Sequence, residues 1–209
     1  MAYSDFTLNK AVDTLGVVVD ENRDLFAEVK NLEVSVYLKY IMEKKSVFST
    51  NSEKARSEKI ITPILDDVFS VYEDKMAIFS GENFDVDKAL KLRGIADYLI
   101  CISPIKTAIR SPVIAVGESK RYDPVEGLGQ CIAELYASGI FNERNRKNIN
   151  KLFGISTSGT EWMFGEYIVN QSHFTYDPTK YSIRELPRII GILSFMRDEA
   201  LRMDEQSNE

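Results

Sequence analysis

The sequence predicts an α/β protein, a mixed central β-sheet with helices packed on its faces, and three observations carry that expectation. The segment "SPVIAVGESKRYD" is centred on an unbroken apolar run, Val113 to Val116, as a buried strand would be. "KLFGISTSGTEWMFGEYIV" has strand-like runs on either side of Ser158–Gly159, the pattern of a hairpin. Segments of helical period lie around and between them, giving the order helix, three strands, helix, hairpin, helix.

Taken in order, "ENRDLFAEVKNLEVSVYLKYIMEKK" carries Leu25, Val29, Leu32, Val36 and Tyr40 at three- and four-residue steps, which predicts an amphipathic helix from Glu21 to Lys45. A loop, "SVFSTN", follows. Thr50 with Glu53 has the form of a capping box and opens a second helix to about Phe69. There Ile61, Leu65 and Val68 share a face with Glu58, and Pro63 should kink or restart the helix. The period then becomes strand-like. "KMAIFSG" is expected to end at a glycine turn and to pair with "DKALKLRGIADYLICIS", a long strand interrupted near Gly94. After the Val113–Val116 strand, "PVEGLGQCIAELYASGIF" reads as a helix with Ile132, Leu135 and Tyr136 as its apolar stripe. "LPRIIGILSFMRDEALRM" closes the chain as a helix, with Pro187 in its first turn.

Composition bounds the function. The chain has 209 residues, 44% hydrophobic and 28% charged, an ordinary globular profile. One domain spanning 1–209 is expected: an N-terminal helical extension over 1–50, a core over 51–170, and a C-terminal strand, helix and tail over 171–209. No apolar run approaches the ~20 residues of a transmembrane helix. The start, "MAYSDFTLNK", has no basic stretch followed by an apolar block, so neither a membrane partner nor a secretory signal is expected. Cys101 and Cys131 sit in apolar segments, with no CxxC and a single histidine, His173, so the location expected is a reducing, cytoplasmic one. A net charge of −6 argues against a protein that coats nucleic acid by charge, but not against a local basic groove. "NERNRKNINK" is such a locally basic stretch, while the tail from Asp198 is mainly acidic. There is no phosphate-binding P-loop and no G-x-S-x-G elbow, and nothing near His173 suggests a catalytic triad.

The chemistry concentrates on two strands. Alternate residues of a strand share a face, so Glu118 and Lys120 point the same way, with Val116 and Ile114. One strand earlier Asp97 shares a face with Ile95, Leu99 and Cys101, a carboxylate set among apolar residues. A charge buried that way is costly unless it is paired or binds a metal. Two carboxylates converging with a lysine suit Mg²⁺, with Lys120 placed to orient a water. Glu58 could reach the same place from the preceding helix and Gln130 from the following one.

"GIADY", then "GESK", then "GQCIAELY" resembles the core of the PD-(D/E)XK nuclease superfamily. The resemblance spans Ser52 to Val169 and implies a restriction-endonuclease-like core. It also implies a metal site of Asp97, Glu118 and the Ser119 backbone carbonyl, with Lys120 as the catalytic lysine and Glu58 and Gln130 in support. "LFGISTSGTEWMFGEYI" is similar to the hairpin of type I restriction-enzyme nuclease domains and their stand-alone relatives. Two positions depart from the family: Ala96 replaces the proline before the first acid, and Glu134 stands where helicase-linked members carry tyrosine. The activity implied is Mg²⁺-dependent endonuclease cleavage of DNA, with Mn²⁺ as a substitute ion. A homodimer is the assembly expected for cutting a duplex, and a separate specificity or motor subunit fits a chain with little room for one. The alternative is a catalytically silent nuclease-fold protein that binds nucleic acid or a partner protein.

Each site residue also has a plainer reading. Glu118 and Lys120 could be a solvated ion pair worth ~0–1 kcal/mol, Asp97 an acid bonded to backbone, Glu58 an exposed helix residue, and Gln130 a residue at a helix start. Trp162 reads as hairpin core, the two cysteines as core, and the run Arg144 to Lys151 as a solvated turn.

Overall fold

The computed structural model describes residues 2–44, 47 and 49–207. The main elements are α1 (Leu8–Leu15), β1 (Val18–Glu21), α2 (Val36–Glu43), α3 (Glu53–Arg56), α4 (Thr62–Phe69), β2 (Met76–Asn83), β3 (Ile95–Ile102), β4 (Val113–Ser119), α5 (Leu128–Arg144), β5 (Lys151–Thr157), β6 (Glu161–Ile168), β7 (His173–Tyr176), β8 (Tyr181–Ser182) and α6 (Leu186–Ser207). The strands form one mixed eight-stranded sheet in the order β1-β7-β6-β5-β4-β3-β2, with β8 paired to β6. Neighbours run antiparallel except β1–β7 and β4–β5. A parallel pair needs a crossover, and α5 supplies the one between β4 and β5.

The alternation of side chains divides the core into two clusters. One holds Leu99, Val116, Leu152 and Tyr167 of the sheet with Ala11 and Leu15 of α1 and Cys131, Ile132 and Leu135 of α5. The other holds Tyr98, Ile100, Phe153 and Phe164 with Leu38, Ile64, Leu65, Ile189 and Leu193 from α2, α4 and α6. The α/β architecture with a mixed, helix-flanked sheet is therefore as the sequence predicts. So are the hairpin turn beyond Ser158 and Pro187 at the start of the last helix.

Several elements differ. Of the helix expected from Glu21 to Lys45, only Val36–Glu43 is helical; Lys45, and Ser46 and Phe48 of the loop beyond, lie outside the described residues. From Asn22 to Val29 the backbone's bonds to itself are only three-residue turns, such as Val29 N–H to Phe26 O at 3.0 Å. Arg188 bonds the carbonyls of Phe26 and Val29, and Leu32 donates its N–H to Pro187 O at 3.0 Å, so α6 holds this stretch out of a helix. The cap before α3 is Ser52, not Thr50, its hydroxyl accepting from Ala55 N–H at 3.1 Å. The restart expected at Pro63 is a π-helical turn over Ser57–Ile61, after which Pro63 opens α4. Gly81 does not end its strand. It sits inside the strand at φ of 70° with the register unbroken, Ser80 pairing with Tyr98 and Glu82 with Ala96, and β2 continues to Asn83. The strand expected from Asp87 begins only at Ile95, and Asp87 and Leu92 close a small loop before it. Ile114 faces away from Val116, because the β3–β4 register shifts between Ile100 and Cys101.

Nor is the N-terminal part an appended helix. It contributes α1, and β1 at the sheet edge, and it buries Tyr3, Phe6, Ala11, Leu15, Val17 and Phe26.

Candidate functional site

The site forms where β3 and β4 run side by side. Pairing Tyr98 with Gly117 brings Asp97 beside the Glu118–Ser119 segment, and Ser119 N–H donates to Asp97 Oδ2 at 2.9 Å. β4 ends formally at Ser119, but Lys120 N–H still donates to Thr157 O at 2.8 Å. That keeps the alternation one residue further, so Glu118 and Lys120 do share a face. Lys120 Nζ donates to Glu118 Oε1 at 2.5 Å and to Gln130 Oε1 at 3.2 Å.

This is no solvated strand end. Glu118 is 2% exposed and its Oε2 has no hydrogen-bond partner. Burial pushes its carboxyl up to about 8; the Asp97 charge adds to that, and Lys120 opposes it. Asp97 is also raised by burial, against the Ser119 hydrogen bond. Burial alone would lower the Lys120 ammonium, but the charge and hydrogen bond of Glu118 outweigh it and leave the group raised. The pocket is thus an acid pair short of solvent, held beside a lysine that stays protonated.

Close approach of the chain makes this geometry. The turn Pro124–Gly127 before α5 lies against β4 and β5, and a Cβ on Gly127 would meet Ser156 Oγ at 2.3 Å and Glu118 Cγ at 3.1 Å. Ser156 Oγ in turn donates to Pro124 O at 2.5 Å. α5 then presents Gln130 toward Lys120.

A cleft of about 310 Å³ opens beside the acids, lined by Asp97 and Ser119, by Ser80 and Gly81 of β2, and by Glu53 and Glu58 across from them. Glu58 therefore reaches the cleft, but it is half exposed and stands 3.9 Å from Lys54, so it is no part of the buried cluster. Tyr98 fixes that wall, its hydroxyl bonded to Ser57 Oγ and, at 3.0 Å, to Thr62 Oγ1. The structure brings Asp97, Glu118, Ser119, Lys120 and Gln130 together and leaves Glu58 at the rim.

Two further acids stand at the site. Glu53 lines the same cleft. Glu134 is wholly buried and accepts from Gln130 Nε2 at 3.1 Å. The signal for Glu134 was the one that marked Asp97, a charged residue inside an otherwise apolar element.

The remaining sequence readings resolve simply. Trp162 is buried in the hairpin and both cysteines are free and buried. Arg144, Lys147 and Lys151 each pair with carboxylates, Asp87, Asp204 and Glu166, so three of the four cations of the basic run are engaged within the chain. His173 pairs with Asp20 across β7 and β1 at 2.8 Å, far along the sheet from β4.

Among the described residues, no group of three or more His, Cys, Asp or Glu side chains is close enough to hold a metal ion, and no helix is long and apolar enough to cross a membrane. The donors available at the centre are two carboxylates, one with an unpartnered buried oxygen, and the backbone of Ser119. Such a set fits a hard divalent cation that keeps water for its other positions, as Mg²⁺ does. Comparison with protein-family models, with curated proteins and with solved structures finds no match.

Proposed function

We propose that the chain is a cytoplasmic, metal-dependent endonuclease of the PD-(D/E)XK type that hydrolyses phosphodiester bonds in DNA. The observation that carries this reading is the buried cluster of Asp97, Glu118, Lys120 and Gln130, with a carboxylate oxygen left unpartnered in the interior. A buried polar atom without a partner calls for an explanation, and a bound ion or a catalytic role supplies one here. Asp97, Glu118 and the Ser119 carbonyl would hold Mg²⁺, with Mn²⁺ as a substitute, and Glu58 would contribute through water from the rim. Bound there, the ion would supply charge stabilisation to the phosphate and the leaving oxygen. Lys120, protonated and offering its donors to the pocket, orients the attacking water and stabilises negative charge growing on it. Gln130 holds the Lys120 side chain in place. Cleavage of both strands with one such centre per chain calls for a homodimer, and target choice for a separate specificity or motor subunit.

The decisive experiment is cleavage of supercoiled plasmid and of single-stranded DNA in Mg²⁺ and in Mn²⁺, with Glu118→Ala and Lys120→Ala protein beside the wild type. Metal-dependent cutting should fall at least about 100-fold in both variants, the scale of a lost acid–base or electrostatic partner. Activity that survives in Lys120→Ala sinks the mechanism.

A second reading, a silent nuclease-fold protein that binds nucleic acid or a partner protein, is favoured by the net charge of −6 and by the small number of acids gathered at the centre. It predicts no cutting, and no rise in melting temperature on Mn²⁺ titration. The nuclease reading predicts a rise that Glu118→Ala removes.

A further inference from the structure

The deepest charged group of this region is not on the strands. Glu134 lies one helical turn beyond Gln130 on α5, wholly buried, with Cys131, Ile132 and Leu135 around it in sequence, also buried. Its Oε1 accepts from Gln130 Nε2 at 3.1 Å, and Gln130 Oε1 accepts from Lys120 Nζ at 3.2 Å. Its second oxygen has no partner. A buried acid in a helix packed between α1 and the sheet is costly, and apolar packing does not call for one.

The chemistry of a carboxamide says what this acid does. One end of the amide only accepts and the other only donates. Turned the other way, the Gln130 NH₂ would face the Lys120 ammonium, donor against donor, and would give up its bond to Glu134 Oε1. Glu134 occupies the NH₂ end and so leaves only the carbonyl for Lys120. We infer that Glu134 is a positioning residue, which locks the Gln130 carboxamide carbonyl-first toward Lys120 and so holds the ammonium beside Glu118. The purpose of holding Lys120 rests on the nuclease reading; the chain of bonds from Glu134 to Lys120 does not.

The test reads Lys120 directly, on metal-free protein. Trace acylation with acetic anhydride, followed by mass spectrometry of the Lys120 peptide, compares wild type, Glu134→Leu, Glu134→Gln, Gln130→Ala and the double variant Gln130→Ala/Glu134→Leu. Exposed lysines in the same digest are the internal standard. Losing one buried hydrogen bond corresponds to a rate change of about 3- to 10-fold. Acylation of Lys120 should therefore quicken by that factor in Glu134→Leu and in Gln130→Ala alike, and no further in the double variant. Glu134→Gln, which can still accept from Gln130, should stay within about twofold of wild type, a rescue that a purely structural role would not show. A Lys120 rate unchanged in Glu134→Leu, beside a raised one in Gln130→Ala, would overturn the inference.

Should Glu134→Leu fail to fold, the wild-type protein decides by NMR. The Gln130 carboxamide protons should exchange with solvent at least about tenfold more slowly than those of exposed Gln206; equal rates would overturn the inference. If the protein does not cut DNA but the acylation pattern holds, the nuclease reading falls and the positioning role stands. If it cuts, Glu134→Leu should lower kcat about tenfold with little change in KM.

Discussion

Glu118 ties the site to the stability of the protein through its proton. Burial, and after it the Asp97 charge, raise its carboxyl to about 8 from an ordinary 4.5. A raised carboxyl favours the folded state while it is protonated. That contribution is complete below pH 4.5 and is lost as the pH rises through about 8. Without metal, the wild type should therefore lose stability relative to Glu118→Gln between pH 5 and 8, by at most about 1.4 kcal/mol per pH unit, the limit for one proton. Glu134 is present in both proteins, so its own rise, from burial first and Glu118 second, enters the difference only through that coupling. Urea unfolding at several pH values measures this, and a difference that stays flat would show that Glu118 is not held protonated. Added Mg²⁺ should reverse the trend if the acid is a ligand, because an ion binds the deprotonated form.

At the scale of elements, the close approach of backbones decides more than hydrophobic pattern does. Gly129 opens α5 against the N-terminal segment, and a Cβ there would meet Thr7 C at 2.2 Å and Leu8 N at 2.5 Å. Both are backbone atoms that cannot rotate away. Gly129→Ala should cost about 1–3 kcal/mol, a fall of roughly 3–10 °C in melting temperature. Calorimetry that finds no change would mean that the N-terminal segment does not pack there. Such contacts explain which parts of the fold the sequence could predict. β3, β4 and the hairpin were legible because their apolar runs are buried whole, and Asp97 and Glu118 stood out against them. The helix expected from Glu21 failed for a reason no local pattern holds. Leu25 and Val29 do pack into a core, at helical spacing, but the carbonyls of Phe26 and Val29 serve Arg188 of α6. α1 was missed although Thr7 caps it and Gly16, at φ of 67°, ends it; at eight residues its pattern is brief, and most of its stability comes from packing on α5. Glu134 is visible in the sequence as a charge within an apolar helix, but its role appears only once Gln130 is seen facing Lys120.

Across the whole molecule, the N-terminal segment acts as a strap over one face of the sheet. At one end Tyr3 N–H donates to Arg93 O at 3.0 Å and its hydroxyl to Phe84 O at 2.7 Å, beside β2 and β3. The chain then passes Gly129 and packs α1 on α5. At the other end β1 joins β7 in parallel, Val18 beside His173 and Glu21 beside Tyr176. The strap therefore bridges both edges of the sheet, and it closes one side of the cluster that includes Leu99, Val116 and Leu135. Deleting residues 1–17 would strip Tyr3, Phe6, Ala11, Leu15 and Val17 from that core. At roughly 1.5–3 kcal/mol for each large apolar side chain buried, the loss approaches or exceeds the ~5–15 kcal/mol that holds a whole domain together. The truncated protein should show no cooperative thermal transition and should bind a hydrophobic dye such as ANS. Its Lys120 should be acylated as fast as its exposed lysines, because the helix that carries Gln130 and Glu134 would have lost one of the surfaces holding it to the sheet. A truncated protein that melts cooperatively within a few degrees of the full chain would instead make residues 1–17 an appendage, with the site complete on the remaining sheet and α5.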